Sequence, residues 1–175
     1  MRLTFLIVFL ALLPAIAAGQ DLPSDFSTGP VIEAYGPVAD VPGAAVLPPD
    51  SVFRVAFDTA SAAEADQLNR TLVSAARFLN MHARAGIDPA QLHVAVVVHG
   101  GAVSDVAQPA PGENNINEAL IADLLQHNVG IYVCGQSAAY YGVTTDDLLP
   151  GVVMSLSAMT AHAQLQQSGF TLNPF

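Results

Sequence analysis

The chain has 175 residues, enough for one well-packed domain and too few for two of ordinary size. It contains 15 acidic residues against 5 basic ones, all arginine, for a formal net charge of −10. This balance disfavours partners rich in phosphate, so we expect the protein to bind neither nucleic acid nor anionic lipid.

The first 19 residues are predicted to be a secretory signal peptide. A basic start at Arg2 precedes an apolar stretch from Leu3 to Leu13, and a small-residue segment ends near Gly19. The apolar stretch falls short of the ~20 residues that span a bilayer, although a retained anchor is the competing interpretation. We therefore expect an exported, periplasmic protein with no membrane segment after cleavage.

Residues 20–50 are predicted to form an extended lead-in before the folded domain at residues 51–175. The segment is rich in proline, glycine, aspartate and alanine, a composition with few ways to pack. A plain spacer is the simpler interpretation of it, and an arm that binds a partner is the alternative.

The rest of the chain alternates between strand and helix patterns. Strands are predicted at residues 52–57, 92–98, 129–133, 152–155 and 170–172. Helices are predicted at 61–86, 115–128 and 156–167, with short turns or helices at 137–141 and 144–149. This order predicts an α/β fold with a mostly parallel sheet covered by helices on both faces.

The most reactive side chains of the sequence lie at the ends of two predicted strands. Ligands of open parallel sheets lie beyond the carboxyl ends of the strands. His99 and Gly100 directly follow the second predicted strand, and Cys134 directly follows the third. The residues after the cysteine complete the predicted pocket: Gly135, Gln136 and Ser137.

Cys134 is the only cysteine of the chain, so it forms no internal disulfide. A helix that begins just after it would lower its thiol pKa and favour the nucleophilic thiolate. The alternative is that Cys134 only packs, as most free cysteines do. Thiol–disulfide exchange is disfavoured because no second cysteine is present to resolve a mixed disulfide.

His99 is the second candidate catalytic residue. An imidazole there would move a proton or steady a thiolate, or it would only be a hydrogen-bonded loop residue. Ser137 followed by Asp146 and His162 weakly suggests a serine hydrolase, but His162 comes only 25 residues later, within a predicted helix.

No metal or cofactor is expected from the sequence. His93 and His99 are six residues apart and would lie ~20 Å apart along a strand. No two histidines have the i,i+4 spacing of a helical metal site, and there is no glycine-rich nucleotide-binding loop.

Three segments of the chain resemble the DsrE/DsrF-like family of sulfur-relay proteins. They are HVAVVVHGGAV, NNINEALIADLLQHNVGIYVCGQSAAYYG and LLPGVVMSLSAMTAHAQLQQSGF. The resemblance implies a three-layer, flavodoxin-like α/β subunit that assembles as a trimer or hexamer. It also implies that Cys134 carries a persulfide, with His99 at the neighbouring strand end and Asn117 in a helix facing the same cleft.

Two functional hypotheses follow. In the first, Cys134 accepts sulfur from a donor protein and passes it to an acceptor, which makes the protein a sulfurtransferase-type carrier without a cofactor. In the second, the protein is a non-catalytic oligomeric binding module of the same fold, and Cys134 only lines a pocket between subunits.

Overall fold

A computed structural model describes residues 22–174 of the chain. The predicted signal peptide, residues 1–19, lies outside the described residues and stays a prediction. Among the residues described, no helix has both the length and the apolar character needed to cross a membrane.

The centre of the fold is a five-stranded sheet in the spatial order β4-β3-β2-β1-β5. All four strand pairings are parallel. The strands are β1 Phe53–Thr59, β2 Leu92–Val98, β3 Gly130–Cys134, β4 Val153–Ser155 and β5 Thr171–Asn173. The parallel sheet predicted from the alternating pattern is confirmed.

Helices cover both faces of this sheet, giving the three-layer, flavodoxin-like architecture expected. They are α1 Arg70–Arg84, α2 Glu118–Gln126, α3 Gly135–Tyr141 and α4 Ala158–Gln167. Buried side chains of α1 and α2 share one large core with alternate strand residues. On the other face, α4 contributes Ala161 and Leu165 to a second, smaller core.

Strand alternation decides which side chains lie beneath α4. Val55 and Phe57 of β1 point into the large core, whereas Ala56 points into the small one. Because successive side chains alternate between faces, Asp58 lies on the same face as Ala56. The same parity assigns His99 and Cys134 to the α4 face, since Val97 and Tyr132 lie there.

The first helix begins at Arg70, not at Ser61 as predicted. Asn69 caps it, and its side-chain oxygen accepts hydrogen bonds from the backbone of the first turn. The buried carboxylate of Asp105 accepts from the Ala63 backbone at 2.9 Å and from the Asn69 side chain at 2.7 Å. These tertiary bonds hold residues 60–69 as a loop and override the local capping pattern at Ser61.

The second helix also begins later than predicted, at Glu118. The Asn115 side chain accepts a hydrogen bond from the Asn117 backbone at 2.9 Å, which forms a turn before the helix. Ile116 lies in this turn and is 47% exposed, so it is not part of the buried stripe assigned to it from helical spacing.

The lead-in differs from the plain spacer expected of it. Ile32 is fully buried, and the Asn80 side chain of α1 bonds the Ile32 backbone at both its N–H and its carbonyl. The Arg84 guanidinium bonds the carbonyls of Gly29 and Val38, each at 3.0 Å. Two polar side chains of α1 thus satisfy the backbone of a proline- and glycine-rich segment that lacks regular structure of its own.

Candidate active site at the carboxyl ends of the strands

Cys134 is the last residue of β3 and directly precedes α3. Val98 of β2 pairs with Val133 of β3, so the next residues, His99 and Cys134, follow at the same level of neighbouring strands. Such strands are ~4.8 Å apart. The structure therefore places the two predicted catalytic residues side by side on the α4 face, as the strand-end rule anticipated.

The Cys134 thiol is nearly buried, with 6% of the residue exposed, but its surroundings are polar. Burial raises the pKa of Cys134, and hydrogen bonds from Ser137, Ala158 and Gln136 lower it by more. Ser137 contributes both its hydroxyl and its backbone N–H. The thiol pKa thus lies below its ordinary value of 9.0, because the charged sulfur gains several donors.

Ser137 links the two strand ends. Its hydroxyl oxygen accepts a hydrogen bond from the Gly100 backbone at 3.0 Å, and its hydroxyl bonds the Cys134 sulfur. Among the residues described, no histidine bonds Ser137; His162 instead bonds Asp58. The serine-hydrolase arrangement is therefore wrong, and Ser137 serves the thiol.

Gly135 and Gln136 fix the segment that leads from β4 into α4. A Cβ on Gly135 would lie 2.6 Å from the Ser155 carbonyl oxygen, so only glycine permits this approach without a shift. The Gln136 side-chain amide donates to the Leu156 carbonyl at 3.3 Å. These two residues of the predicted pocket thus contact the segment between β4 and α4 close to the thiol.

His99 is turned toward a carboxylate that the sequence reasoning missed. Its Nε2 lies 2.9 Å from Oδ2 of Asp58, and 32% of its side chain is exposed. No hydrogen bond joins His99 to Cys134 among the residues described. The imidazole is therefore beside the sulfur by register but oriented by Asp58.

Asp58 receives a second histidine from α4. Nε2 of His162 lies 2.6 Å from its Oδ1, so one carboxylate contacts two imidazoles. Burial raises the pKa of Asp58, but the hydrogen bonds and charges of the two histidines lower it to a net value below the ordinary 3.8. The sequence offered one signal for Asp58: it is two residues after Ala56 in β1, so its side chain lies on the same face of the sheet as Ala56.

Asn117 is not brought to the thiol. It is 2% exposed, and its side-chain oxygen accepts from the Asn69 backbone at 2.7 Å. Asn69 caps α1, which lies on the face of the sheet opposite α4. The structure therefore gives Asn117 a role in joining α1 to α2, which differs from the cleft position that the family resemblance implied.

In residues 22–174, no group of three or more histidine, cysteine, aspartate or glutamate side chains is arranged to hold a metal ion. Direct hydrogen bonds join Asp58 to His99 and to His162, with nitrogen–oxygen distances of 2.9 and 2.6 Å. The chemistry that these side chains offer is hydrogen bonding and proton exchange.

Comparison with known proteins decides the family. The model of the DsrE/DsrF-like family matches residues 50–174, most of the chain. The chain belongs to the DsrE/DsrF-like family. No curated protein matches this family member.

Two solved structures share the fold of this DsrE/DsrF-like chain. MTH1491 of Methanobacterium thermoautotrophicum, a protein of unknown function, is 19% identical with a TM-score of 0.55. The match covers 70% of this chain and 99% of that one. The ychN protein of E. coli is 18% identical with a TM-score of 0.52, and the match covers 71% of this chain and 100% of that one.

Proposed function

We propose that the protein is a sulfur carrier that holds a persulfide on Cys134. Membership of the DsrE/DsrF-like family suggests sulfur relay at the family level. The observation that carries the proposal for this chain is the place of Cys134, which ends β3 directly before α3 and lies at the level of His99 on the neighbouring strand. The Ser137 hydroxyl and backbone donors there lower the pKa of its thiol. A thiolate is the form that attacks a sulfane sulfur.

The transfer is a pair of exchange reactions. The Cys134 thiolate attacks the outer sulfur of a donor persulfide, so a new S–S bond forms as the donor's own S–S bond breaks. The donor leaves as a thiolate and takes up a proton, and Cys134 becomes Cys–S–SH. An acceptor thiolate then attacks the outer sulfur, and Cys134 returns to its thiolate form.

His99 is proposed to deliver the proton to the departing donor thiolate. Its Nε2 is engaged by Asp58, so Nδ1 is the ring nitrogen left for exchange. His99 follows β2 at the level of Cys134, and a third of its side chain is exposed to solvent.

Mass spectrometry tests the carrier directly. After incubation with a low-molecular-weight persulfide, the intact protein should gain about 32 Da per added sulfur. Cys134→Ser should show no gain, and treatment with a thiol reductant should remove the added mass. An unmodified wild-type protein under conditions that load a reference thiol would contradict the proposal.

Access to the sulfur is the main demand on this function, because Cys134 is only 6% exposed. A small alkylating reagent should label the native protein at neutral pH more slowly than a free thiol but within minutes. Labelling that occurs only on unfolding would show that the cysteine is sealed and would favour the alternative below.

The alternative is a non-catalytic oligomeric binding module, and exposed apolar side chains favour it. Val153, Leu156 and Met159 follow one another from β4 into α4 and are 51%, 73% and 79% exposed. Tyr140 and Tyr141 of α3 are also exposed, with ring centroids 5.0 Å apart. Proteins of this family are often oligomeric, and we propose a homotrimer or hexamer for this chain.

Two matched charge substitutions separate this surface from the rest. Met159→Glu should dissociate the oligomer in sedimentation experiments, whereas Leu172→Glu on the opposite sheet edge, 51% exposed, should not. A binding module would keep its cellular role in Cys134→Ala and lose it in Met159→Glu. A carrier would lose its role in Cys134→Ala.

Export is part of the proposal, with residues 1–19 as the signal peptide and 51–175 as the DsrE-like domain. N-terminal sequencing of protein recovered from the periplasm should begin near residue 20. Recovery of the full chain in the cytoplasm would place donor and acceptor there instead.

A further inference from the structure

One carboxylate joins three secondary-structure elements beside the thiol. Asp58 lies near the end of β1, His99 follows β2, and His162 belongs to α4. The Asp58 carboxylate bonds His99 through Oδ2 and His162 through Oδ1. Asp58 therefore ties α4 to the sheet at the level of the strand ends.

The same helix begins beside the cysteine. Cys134 pairs with Ser155 of β4, and α4 begins three residues later at Ala158, whose backbone N–H is among the donors that lower the thiol pKa. His162 follows four residues later, so the two lie one above the other on the same side of the helix. The turn of α4 that reaches the thiol is thus the turn that Asp58 anchors.

Apolar packing beneath α4 is sparse. The small core on this face contains five buried residues, of which three are alanine, and three further residues pack partly buried against it: Ala56, Ala95, Val97, Ala161 and Leu165, with Tyr132, Ala158 and Phe170. Small side chains bury little surface, so they hold the helix less firmly than the core on the opposite face holds α1 and α2. Polar anchors consequently carry a larger share of the positioning.

The hydrogen-bond pattern of His162 fits an anchor. Its Nε2 bonds Asp58, and its Nδ1 is buried without a partner among the residues described. The Nε2–H donates to the Asp58 carboxylate, and no other hydrogen bond of this ring is found among the residues described. The ring is therefore used for its single contact with Asp58.

We infer that Asp58 and His162 are positioning residues for Cys134, which hold the first turn of α4 in place beside the thiol. The inference rests on the proposed function only in taking Cys134 as the reacting group. It assigns to two residues of β1 and α4 the task of keeping the thiol in its nucleophilic form.

The pH dependence of alkylation tests this role. Wild-type protein and the variants Asp58→Asn, His162→Ala and His162→Gln are treated with iodoacetamide from pH 5 to 10. For Asp58→Asn and His162→Ala the profile should move to higher pH, with a rate at neutral pH roughly three- to tenfold lower. His162→Gln retains an amide donor toward Asp58 and should recover part of the rate.

His127→Ala is the matched control, because this histidine bonds Asp123 within α2 and has no contact with the site. Its profile should coincide with that of the wild type. A wild-type profile in folded His162→Ala and Asp58→Asn, as judged by near-ultraviolet circular dichroism, would overturn the inference.

A measurement on the wild-type protein keeps the inference testable if those variants do not fold. In ¹⁵N-labelled protein the Ala158 amide resonance should shift with the ionisation of Cys134, and an unresponsive resonance would overturn the inference. If the wild-type protein takes up no persulfide but the variants show the shifted alkylation profile, only the carrier proposal is removed. If the wild-type protein loads normally and the variants keep the wild-type profile, only the positioning role is removed.

Discussion

Ser137 is the residue on which the character of the thiol most depends. Its hydroxyl accepts from the Gly100 backbone at 3.0 Å and bonds the Cys134 sulfur, so it connects the ends of β2 and β3. The bond to a charged sulfur is the stronger kind. One small side chain thus acts on both the pKa of the thiol and the closure of the strand ends.

Ser137→Ala should slow alkylation of Cys134 at neutral pH by about three- to tenfold, because a donor to the thiolate is lost. It should also lower the free energy of unfolding by about 1 kcal/mol, since the Gly100 N–H loses its acceptor. Stopped-flow alkylation and urea denaturation measure the two effects. Ser104→Ala, an exposed serine that bonds the Gly101 carbonyl, is the control and should leave the alkylation rate unchanged.

The residues of the site differ in how far sequence predicts them. Cys134 and His99 were identified because each directly follows an apolar strand. Asp58 was missed because its role depends on which face of β1 meets α4 and on a histidine 104 residues later in the chain. Asn117 was assigned to the cleft by family resemblance, whereas its actual partner, Asn69, was hidden by the wrong start of α1.

At the scale of elements, the lead-in and α1 form a unit joined by buried polar contacts. Asn80 is fully buried and makes five hydrogen bonds to the lead-in backbone, all between 2.8 and 3.1 Å. A buried amide with every contact satisfied is costly to truncate, because its backbone partners have no water to replace it.

Asn80→Ala should therefore lower the free energy of unfolding by about 3 kcal/mol. It should also expose residues 27–38 to limited proteolysis, because Ile32 would no longer be held against α1. Asn114→Ala, at an exposed asparagine, should change neither measurement. Equal proteolysis of the Asn80 and Asn114 variants would show that apolar contacts alone hold the lead-in.

Elements with strong apolar patterns were predicted well, and elements set by polar side chains were not. The limits of β2, Leu92–Val98, agree with the prediction because four of its seven residues are valine, which favours a buried strand. The start of α1 was displaced by nine residues, from Ser61 to Arg70, because the distant Asp105 carboxylate holds the preceding loop. The residues around Ser61 do not indicate this contact, because Asp105 is far away in the sequence.

At the scale of the whole molecule, His82 makes stability depend on pH. Its ring stacks on Phe78 at a centroid distance of 3.9 Å and meets Phe53 at 4.6 Å. Burial lowers the pKa of His82 below its ordinary 6.5, against a smaller opposing effect of the Phe78 carbonyl. Below about pH 6.5 the unfolded chain therefore binds more protons than the folded one, so the free energy of unfolding decreases as the pH is lowered.

Replacing the histidine should flatten this dependence. His82→Leu should lose less stability than the wild type between pH 7 and pH 5.5 in urea denaturation. The difference should be a fraction of the ~1.4 kcal/mol that one pKa unit represents, since the ring is only half-buried. From pH 7.5 to 8.5 the gap between the two proteins should stay constant; parallel losses below pH 6.5 would assign the acid sensitivity elsewhere.

Asp58 contributes to stability in a different pH range. Its folded-state pKa is lowered, so its contribution is present above the ordinary 3.8 and is lost as pH falls through the folded value. The ties among β1, β2 and α4 should accordingly persist in mildly acidic solution, where His82 already weakens the opposite side of the sheet.

A lone cysteine would also set the kinetics of the carrier we propose. With no other cysteine in the sequence, a sulfur atom held on Cys134 would have no second thiol in the same molecule to move to. Each molecule would then release its sulfur only on meeting an acceptor, so the rate of discharge would rise in proportion to the acceptor concentration.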